Sequence, residues 1–183
     1  MEHNFSQRWN ERYSGTDYAY GKTPNDFLAK NLPDFSPGKI LFPAEGEGRN
    51  AVFAASLGWD ATAFDISAAG RNKALQMAAD HKLSIQYLIG ELTELPLLPN
   101  QYDALALIYA HFPADIKRQY HRTLATLLKS GAVVIFEAFS KNHLSYIQRD
   151  ERIGGPKDLA SLFSIEEIAE DFSDFDVLLL TET

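Results

Sequence analysis

The stretch Ile40-Leu41-Phe42-Pro43-Ala44-Glu45-Gly46-Glu47-Gly48-Arg49-Asn50-Ala51 decides how the rest of the chain is read. A short apolar run enters a glycine turn and continues as a segment of helical period, Asn50–Leu57, ended by Gly58. Glycines let the backbone approach a ligand closely, and a helix N-terminus offers free N–H groups and a positive dipole end, so strand, turn and helix together predict a cofactor turn. Spaced as Gly46-x-Gly48-x-x-Ala51, the turn also satisfies the dinucleotide pattern G-x-G-x-x-G/A. Nineteen residues past Gly46 stands Asp65, at the end of the next apolar run Ala61–Phe64. There a carboxylate accepts both hydroxyls of a ribose, the alternative being a cap on the following helix that Ser67 can equally supply. Gly90-Glu91-Leu92 closes a third strand, Ser84–Ile89, and sets a polar group beside the expected adenine position.

Outward from this stretch the same alternation continues. Strands are expected at Ile40–Ala44, Ala61–Phe64, Ser84–Ile89, Asp103–Tyr109 and Ala132–Phe139. Between them lie helices over Ala68–Lys82 and Ala114–Lys129, the latter with Ile116, Tyr120, Leu124, Leu127 and Leu128 on one stripe and Lys129-Ser130-Gly131 at its end. Ser164-Ile165-Glu166-Glu167 is a capping-box start for a helix over 165–172, and Asp176–Thr181 reads as a sixth strand. The pattern predicts an α/β fold, a Rossmann-like doubly wound and mostly parallel sheet with helices on both faces, ligands binding where the carboxyl ends of its strands converge. Residues 1–38 differ in composition and are expected to form an N-terminal helical lid on the unit 39–183, with Thr23 capping a short helix Pro24–Asn31.

The chain has 183 residues, 17 Lys plus Arg against 25 Asp plus Glu, and a formal charge of −8. That charge opposes phosphate backbones and anionic lipid, so neither nucleic acid nor a membrane surface is expected as a partner. There are no cysteines, which excludes disulfides, thiolate metal sites and a cysteine nucleophile together and suits a cytoplasmic location. The opening residues lack a basic region followed by an apolar one, and no apolar run is long enough to span a bilayer. The five histidines, His3, His81, His111, His121 and His143, show no metal-pair spacing, so no metal is expected.

Residues 39–139 resemble a class I S-adenosylmethionine-dependent methyltransferase: a glycine turn after strand 1, an acid after strand 2, an acid after strand 3, and Tyr102-Asp103 opening strand 4. The wider set Trp9, Tyr13, Tyr20-Gly21-Lys22-Thr23-Pro24-Asn25, Glu45 to Val52, Ile108-Tyr109-Ala110-His111-Phe112-Pro113 and Gly154-Gly155-Pro156-Lys157 is similar to the tellurite-resistance and thiopurine-type small methyltransferases. The resemblance implies S-adenosylmethionine as cofactor. It would be held by Ala44, Glu45, Gly46 and Asn50 around the methionine part, by Asp65 and Ile66 at the ribose and by Glu91 and Leu92 at the adenine; Tyr20, an aromatic ring beside Gly21, and Ile108 are further expected cofactor contacts. Two departures stand out. Phe42 and Ala44 occupy positions where the common first motif has an acid and a glycine, leaving Glu45 to supply a carboxylate. The last strand hairpin of the fold is incomplete, the sequence ending at Thr183 just after the sixth predicted strand.

Methyl transfer from a sulfonium is an in-line displacement with an already activated leaving group, so alignment suffices and no catalytic triad is needed. His111, just after strand 4, is the side chain best placed to take a proton or orient a substrate, unless it caps the helix near Pro113. Trp9, Tyr13, Tyr18 and Tyr20 are aromatic rings suited to cover a cation or simply to pack on the sheet. Tyr146, Arg149 and Arg152 are placed at the mouth of the crevice, where they would meet an anionic substrate. The expected activity is methylation of a small molecule of thiol or chalcogen-oxyanion type. A nicotinamide-dependent oxidoreductase and a non-catalytic S-adenosylmethionine-binding domain remain as alternatives.

Overall fold

The computed structural model describes residues 2–150 and 152–183, with side chains from Phe5 onward. Five strands, β1 Lys39–Pro43, β2 Asp60–Asp65, β3 Gln86–Ile89, β4 Tyr102–Ile108 and β5 Leu128–Glu137, form one sheet in the order β3-β2-β1-β4-β5. Every pairing is parallel. Around the sheet lie α1 Glu2–Tyr13, α2 Asp26–Asn31, α3 Arg49–Ser56, α4 Ala68–Asp80, α5 Lys117–Thr126, α6 His143–Arg149 and α7 Ile165–Asp171.

The period of two along each strand sorts side chains into two layers. Ile40, Phe42, Ala104, Ala106, Ile108 and Ile135 join a core with Leu28 of α2, Ala51 of α3 and Met77 of α4. Leu41, Leu105 and Leu107 face the other way, onto Tyr120 and Leu124 of α5 and onto Phe172 just after α7. A strand covered on both faces has no polar side, which is why Ala104–Ile108 reads as one continuous apolar run. Strand order reverses between β1 and β4, and in such sheets the crevice above the carboxyl ends at that point is the ligand site.

Four local expectations are corrected. Helix α5 spans only Lys117–Thr126, and Lys129-Ser130-Gly131 lies inside β5. Gly131, at φ +80°, sits where pairing jumps from Tyr102–Leu128 to Ala104–Val133. A glycine that looks like a helix end is therefore a bulge glycine. Helix α2 is capped by Asn25, whose side chain accepts from the Leu28 amide at 2.9 Å, so Thr23 and Pro24 precede the helix. The expected sixth strand is not formed: residues 176–181 are irregular, and Val177, Leu178 and Leu179 are exposed. β-branched and aliphatic residues make a strand only where a neighbour pairs with them, and nothing pairs with this segment among the described residues. The capping box of α7 is present as expected, Ser164 and Glu167 exchanging their side-chain bonds at 3.3 and 2.9 Å.

Candidate functional site

The turn after β1 is built from left-handed backbone: Ala44, Gly46 and Gly48 have φ of +50°, +66° and +87°. A Cβ on Gly48 would strike Ala74, so the missing side chain lets the turn rest on α4. Glu45 then folds back over the start of α3. Its Oε1 accepts the Asn50 and Ala51 amides at 2.8 and 2.9 Å, and its Oε2 accepts the Asn50 side-chain amide. The N–H groups expected to face a cofactor are thus held by the chain's own acid, which lies against the positive end of the helix. Burial of the carboxyl outweighs these bonds and raises Glu45 to about 7. Asn50 also accepts the Asn25 amide, tying the N-terminal segment to the turn.

Asp65, at the tip of β2, is 7% exposed. Its Oδ2 accepts the Gly46 amide at 3.0 Å and its Oδ1 the Ser67 amide at 2.8 Å, so the first two strand tips meet through one carboxylate. Ser67 itself caps α4 by accepting from Gly70, which leaves Asp65 free of that duty. Burial pushes Asp65 up to about 6 despite its amide donors, and the charge of Glu91 adds to the rise. Tyr87 of β3 donates to the Gly46 carbonyl at 2.6 Å from below. Glu91 accepts from Tyr120 at 3.3 Å and Leu92 is buried beside it, so the third tip leans toward α5. Ile108 is buried at the end of β4.

Helix α1 lies across these tips. Ser6 donates to the Ile66 carbonyl, and Asn10 Oδ1 accepts from the Ser67 hydroxyl and the Ala69 amide. Tyr13 is buried, and its hydroxyl lies 2.6 Å from where a Cβ on Gly46 would stand. Burial and the surrounding acids, Asp65 foremost, raise that phenol well above its usual range. Trp9 stacks on Tyr13 at 5.5 Å. Tyr20 is half-exposed under the Arg12 guanidinium, and its carbonyl accepts from Arg49. Glu47, buried between the two glycines, accepts the Ala19 amide at 2.7 Å and pairs with Lys73 at 2.7 Å. Neither Asn10 nor Glu47 was singled out in the sequence; an acid flanked by turn glycines was the available signal for Glu47.

His111 does not cap α5, whose N-cap is Ile116; its ring stacks on Phe139 at 6.0 Å. Burial first, and the nearby Arg8 of α1 second, lower its pKa. Arg152 is turned onto its neighbour Asp150 at 2.8 Å with its side chain 90% exposed, and Arg149 lies over Tyr146, so neither arginine pairs with a group of the cleft. Surface hollows of about 460 Å³ beside Arg118 and Arg122, and about 140 Å³ beside Arg49 and His81, are not lined by Glu45, Asp65 or Glu91. Among the described residues no group of three or more His, Asp or Glu is arranged to hold a metal, the His3 side chain lying outside them. No helix of the described residues is long and apolar enough to cross a membrane.

A family model for a methyltransferase domain matches residues 40–131. The chain belongs to that methyltransferase-domain family. No curated protein matches the sequence. Among solved structures, the fold is similar to that of a protein described as converting a disulfide bond into a thioacetal group during echinomycin biosynthesis, with TM-score 0.72 and 20% identity over 93% of this chain and 78% of that one. It is also similar to an S-adenosylmethionine-dependent methyltransferase from Aquifex aeolicus (TM-score 0.61, 18% identity, 80% and 77% covered). A third similar structure is TehB from Haemophilus influenzae (TM-score 0.69, 17% identity, 97% and 58% covered).

Family and fold make this methyltransferase one of class I, whose cofactor is S-adenosylmethionine. The residues present fit that group chemically. Asp65 is a buried carboxylate whose oxygens each hold one amide donor and keep lone pairs for a diol. Burial raises both Glu45 and Asp65, the amide donors and, for Glu45, the Arg49 charge offsetting only part of the rise.

Proposed function

We propose that this methyltransferase acts on a small molecule with a soft nucleophile of thiol or chalcogen type, and that the N-terminal segment 1–38 serves as a lid over the cofactor cleft. The observation that carries the reading is the Asp65 carboxylate, held against the Gly46 turn at 3.0 Å beneath α1. Asp65 with Ile66 would hold the ribose, Glu91 and Leu92 the adenine, and Ala44, Gly46 and Asn50 the amino-acid end, with Glu45 anchoring the turn. Tyr20 and Ile108 would flank it. When bound, S-adenosylmethionine supplies an activated methyl group. The chain's part is to bind, to align and to exclude water, and such positioning removes up to about 7–11 kcal/mol from a barrier.

The lid reading draws on α1's own contacts: Ser6 and Asn10 bond it to the β2–α4 loop, and the Tyr13 ring packs where a Cβ on Gly46 would stand, so α1 would lift to open the way to Asp65. His111, whose pKa is lowered by burial and by Arg8, is the imidazole that would take a proton released by the nucleophile. The soft-acceptor reading draws on the similar protein that acts at a disulfide and on the likeness to TehB. A nicotinamide enzyme is disfavoured on physical grounds as well as by family, because Glu45 already fills the helix N-terminus that a pyrophosphate would need. Calorimetric titration with S-adenosylhomocysteine tests the cofactor half, and transfer of a labelled methyl group to a panel of thiols and chalcogen oxyanions tests the acceptor half. No heat in the first experiment overturns the reading.

A further inference from the structure

The ends of β4 and β5 carry a group that the cofactor cleft leaves unused. Glu137 is the last residue of β5, opposite Ile108 in register, and shares a face with Val133 and Ile135, toward the α2–α3 layer. Its Oε1 accepts from the Tyr109 hydroxyl at 2.9 Å. Its Oε2 is shielded from solvent and has no hydrogen-bond partner among the described residues. Buried carboxylate oxygens are rarely left this way, because an unmade bond forfeits the full cost of desolvation.

Tyr109 is itself unusual. It follows β4 with φ +50°, a left-handed conformation that costs a bulky residue about 1–3 kcal/mol and persists where the surroundings hold it. The Phe139 ring centre lies 4.7 Å from that of Tyr109, 4.2 Å from His143 and 6.0 Å from His111, so aromatic rings gather beside the tyrosine that holds the carboxylate. Gly155 closes this wall: a Cβ there would stand 2.5 Å from His143 Nε2.

We propose that Glu137, with Tyr109, forms the acceptor end of the cleft, and that it takes a neutral or cationic nucleophile bearing a hydrogen-bond donor, of the thiol or aminothiol class, and turns away oxyanions. This rests on the methyltransferase reading above and narrows it. The Tyr109 hydrogen is committed to Oε1, so the ionised pair has no donor left to offer and can only accept. An oxyanion or a carboxylate brings a like charge, whereas an uncharged thiol brings an S–H without one and an ammonium brings three N–H groups and a charge that aromatic faces attract. Arg49, the cation whose field reaches Tyr109, has its Nη1 committed to the carbonyls of Tyr20 and Thr23. Arg8 of α1 lies near His111, so the helix that covers Asp65 also reaches the acceptor end.

The test is calorimetric titration of the protein saturated with S-adenosylhomocysteine, using cysteamine, thioglycerol, thioglycolate and selenite as probes. Cysteamine and thioglycerol are expected to bind at least about tenfold more tightly than thioglycolate and selenite, the size of one charge-assisted hydrogen bond. Glu137→Gln is expected to bring the four within about threefold of one another while its near-ultraviolet circular dichroism and its S-adenosylhomocysteine affinity match the parent protein. Equal binding of all four by the parent, a preference that survives Glu137→Gln, or no binding by either donor-bearing thiol overturns the proposal. If S-adenosylhomocysteine itself fails to bind, the fault lies with the methyltransferase reading instead.

Discussion

Asp65 and Glu45 are both carboxylates at a strand tip, yet they do different work. Glu45 spends its oxygens on α3, so its loss is a structural event; Asp65 accepts loop amides, those of Gly46 and Ser67 among them, and is the carboxylate proposed to meet the ribose. Asp65→Ala is therefore expected to weaken S-adenosylhomocysteine binding by about 10- to 150-fold, equivalent to about 1.5–3 kcal/mol for a hydrogen bond to a charged group. Titration calorimetry reads this directly, and an unchanged affinity would place the ribose elsewhere. The sequence made Asp65 legible because a residue's distance from a glycine turn survives in one dimension. It could not show that Glu45 turns backward onto α3, because direction at a left-handed turn depends on which of several acceptors the helix N-terminus recruits.

Among the elements, the five strands and the helices between them were readable because both faces of the sheet are covered and their apolar runs are continuous. The departures fall where one residue type serves two purposes, as with Gly131, a bulge glycine in β5 that has the look of a helix end. Helix α1, proposed as a lid, is the element with the most to test. Asn10 holds it with two accepted bonds, to the Ser67 hydroxyl and the Ala69 amide. Removing both in Asn10→Ala costs about 1–3 kcal/mol and should raise the opening equilibrium of α1 by about 5- to 150-fold. Hydrogen exchange across Glu2–Tyr13 is expected to accelerate while β3 keeps its protection; equal acceleration of both would mean that α1 does not open separately. On the other face, His121 is enclosed by Phe163 and Phe172 at 5.6 and 5.7 Å and bonded through Nδ1 to Asp171 at 2.8 Å, with Arg118 also on Asp171. His121→Ala empties that box and is expected to cost about 2–4 kcal/mol, read as a shift of the denaturation midpoint at constant slope.

Across the whole molecule, the buried acids and the buried histidines pull stability in opposite directions with pH. Glu45 and Asp65 have native values raised to about 7 and about 6, above their ordinary values of 4.5 and 3.8. Between about pH 4 and 7 the native state therefore binds more protons than the unfolded chain, and stability from these groups falls as pH rises through that window. For Asp65 alone the shift corresponds to about 3 kcal/mol. His111 and His121 are lowered by burial, so they bind fewer protons when folded, and their contribution falls as pH drops below about 6.5. A cationic ligand favours the ionised carboxylates and so removes the first trend while leaving the second. The stabilisation conferred by saturating S-adenosylmethionine, measured as the rise in Tm, is accordingly expected to grow from pH 5 to pH 7.5. The same measurement with S-adenosylhomocysteine, which keeps the ammonium but lacks the sulfonium charge, is expected to show a shallower rise. Asp65→Asn, which cannot ionise, should make both curves shallower, leaving the part that belongs to Glu45. A ligand-induced Tm shift independent of pH would show that these acids do not face the cofactor's charges.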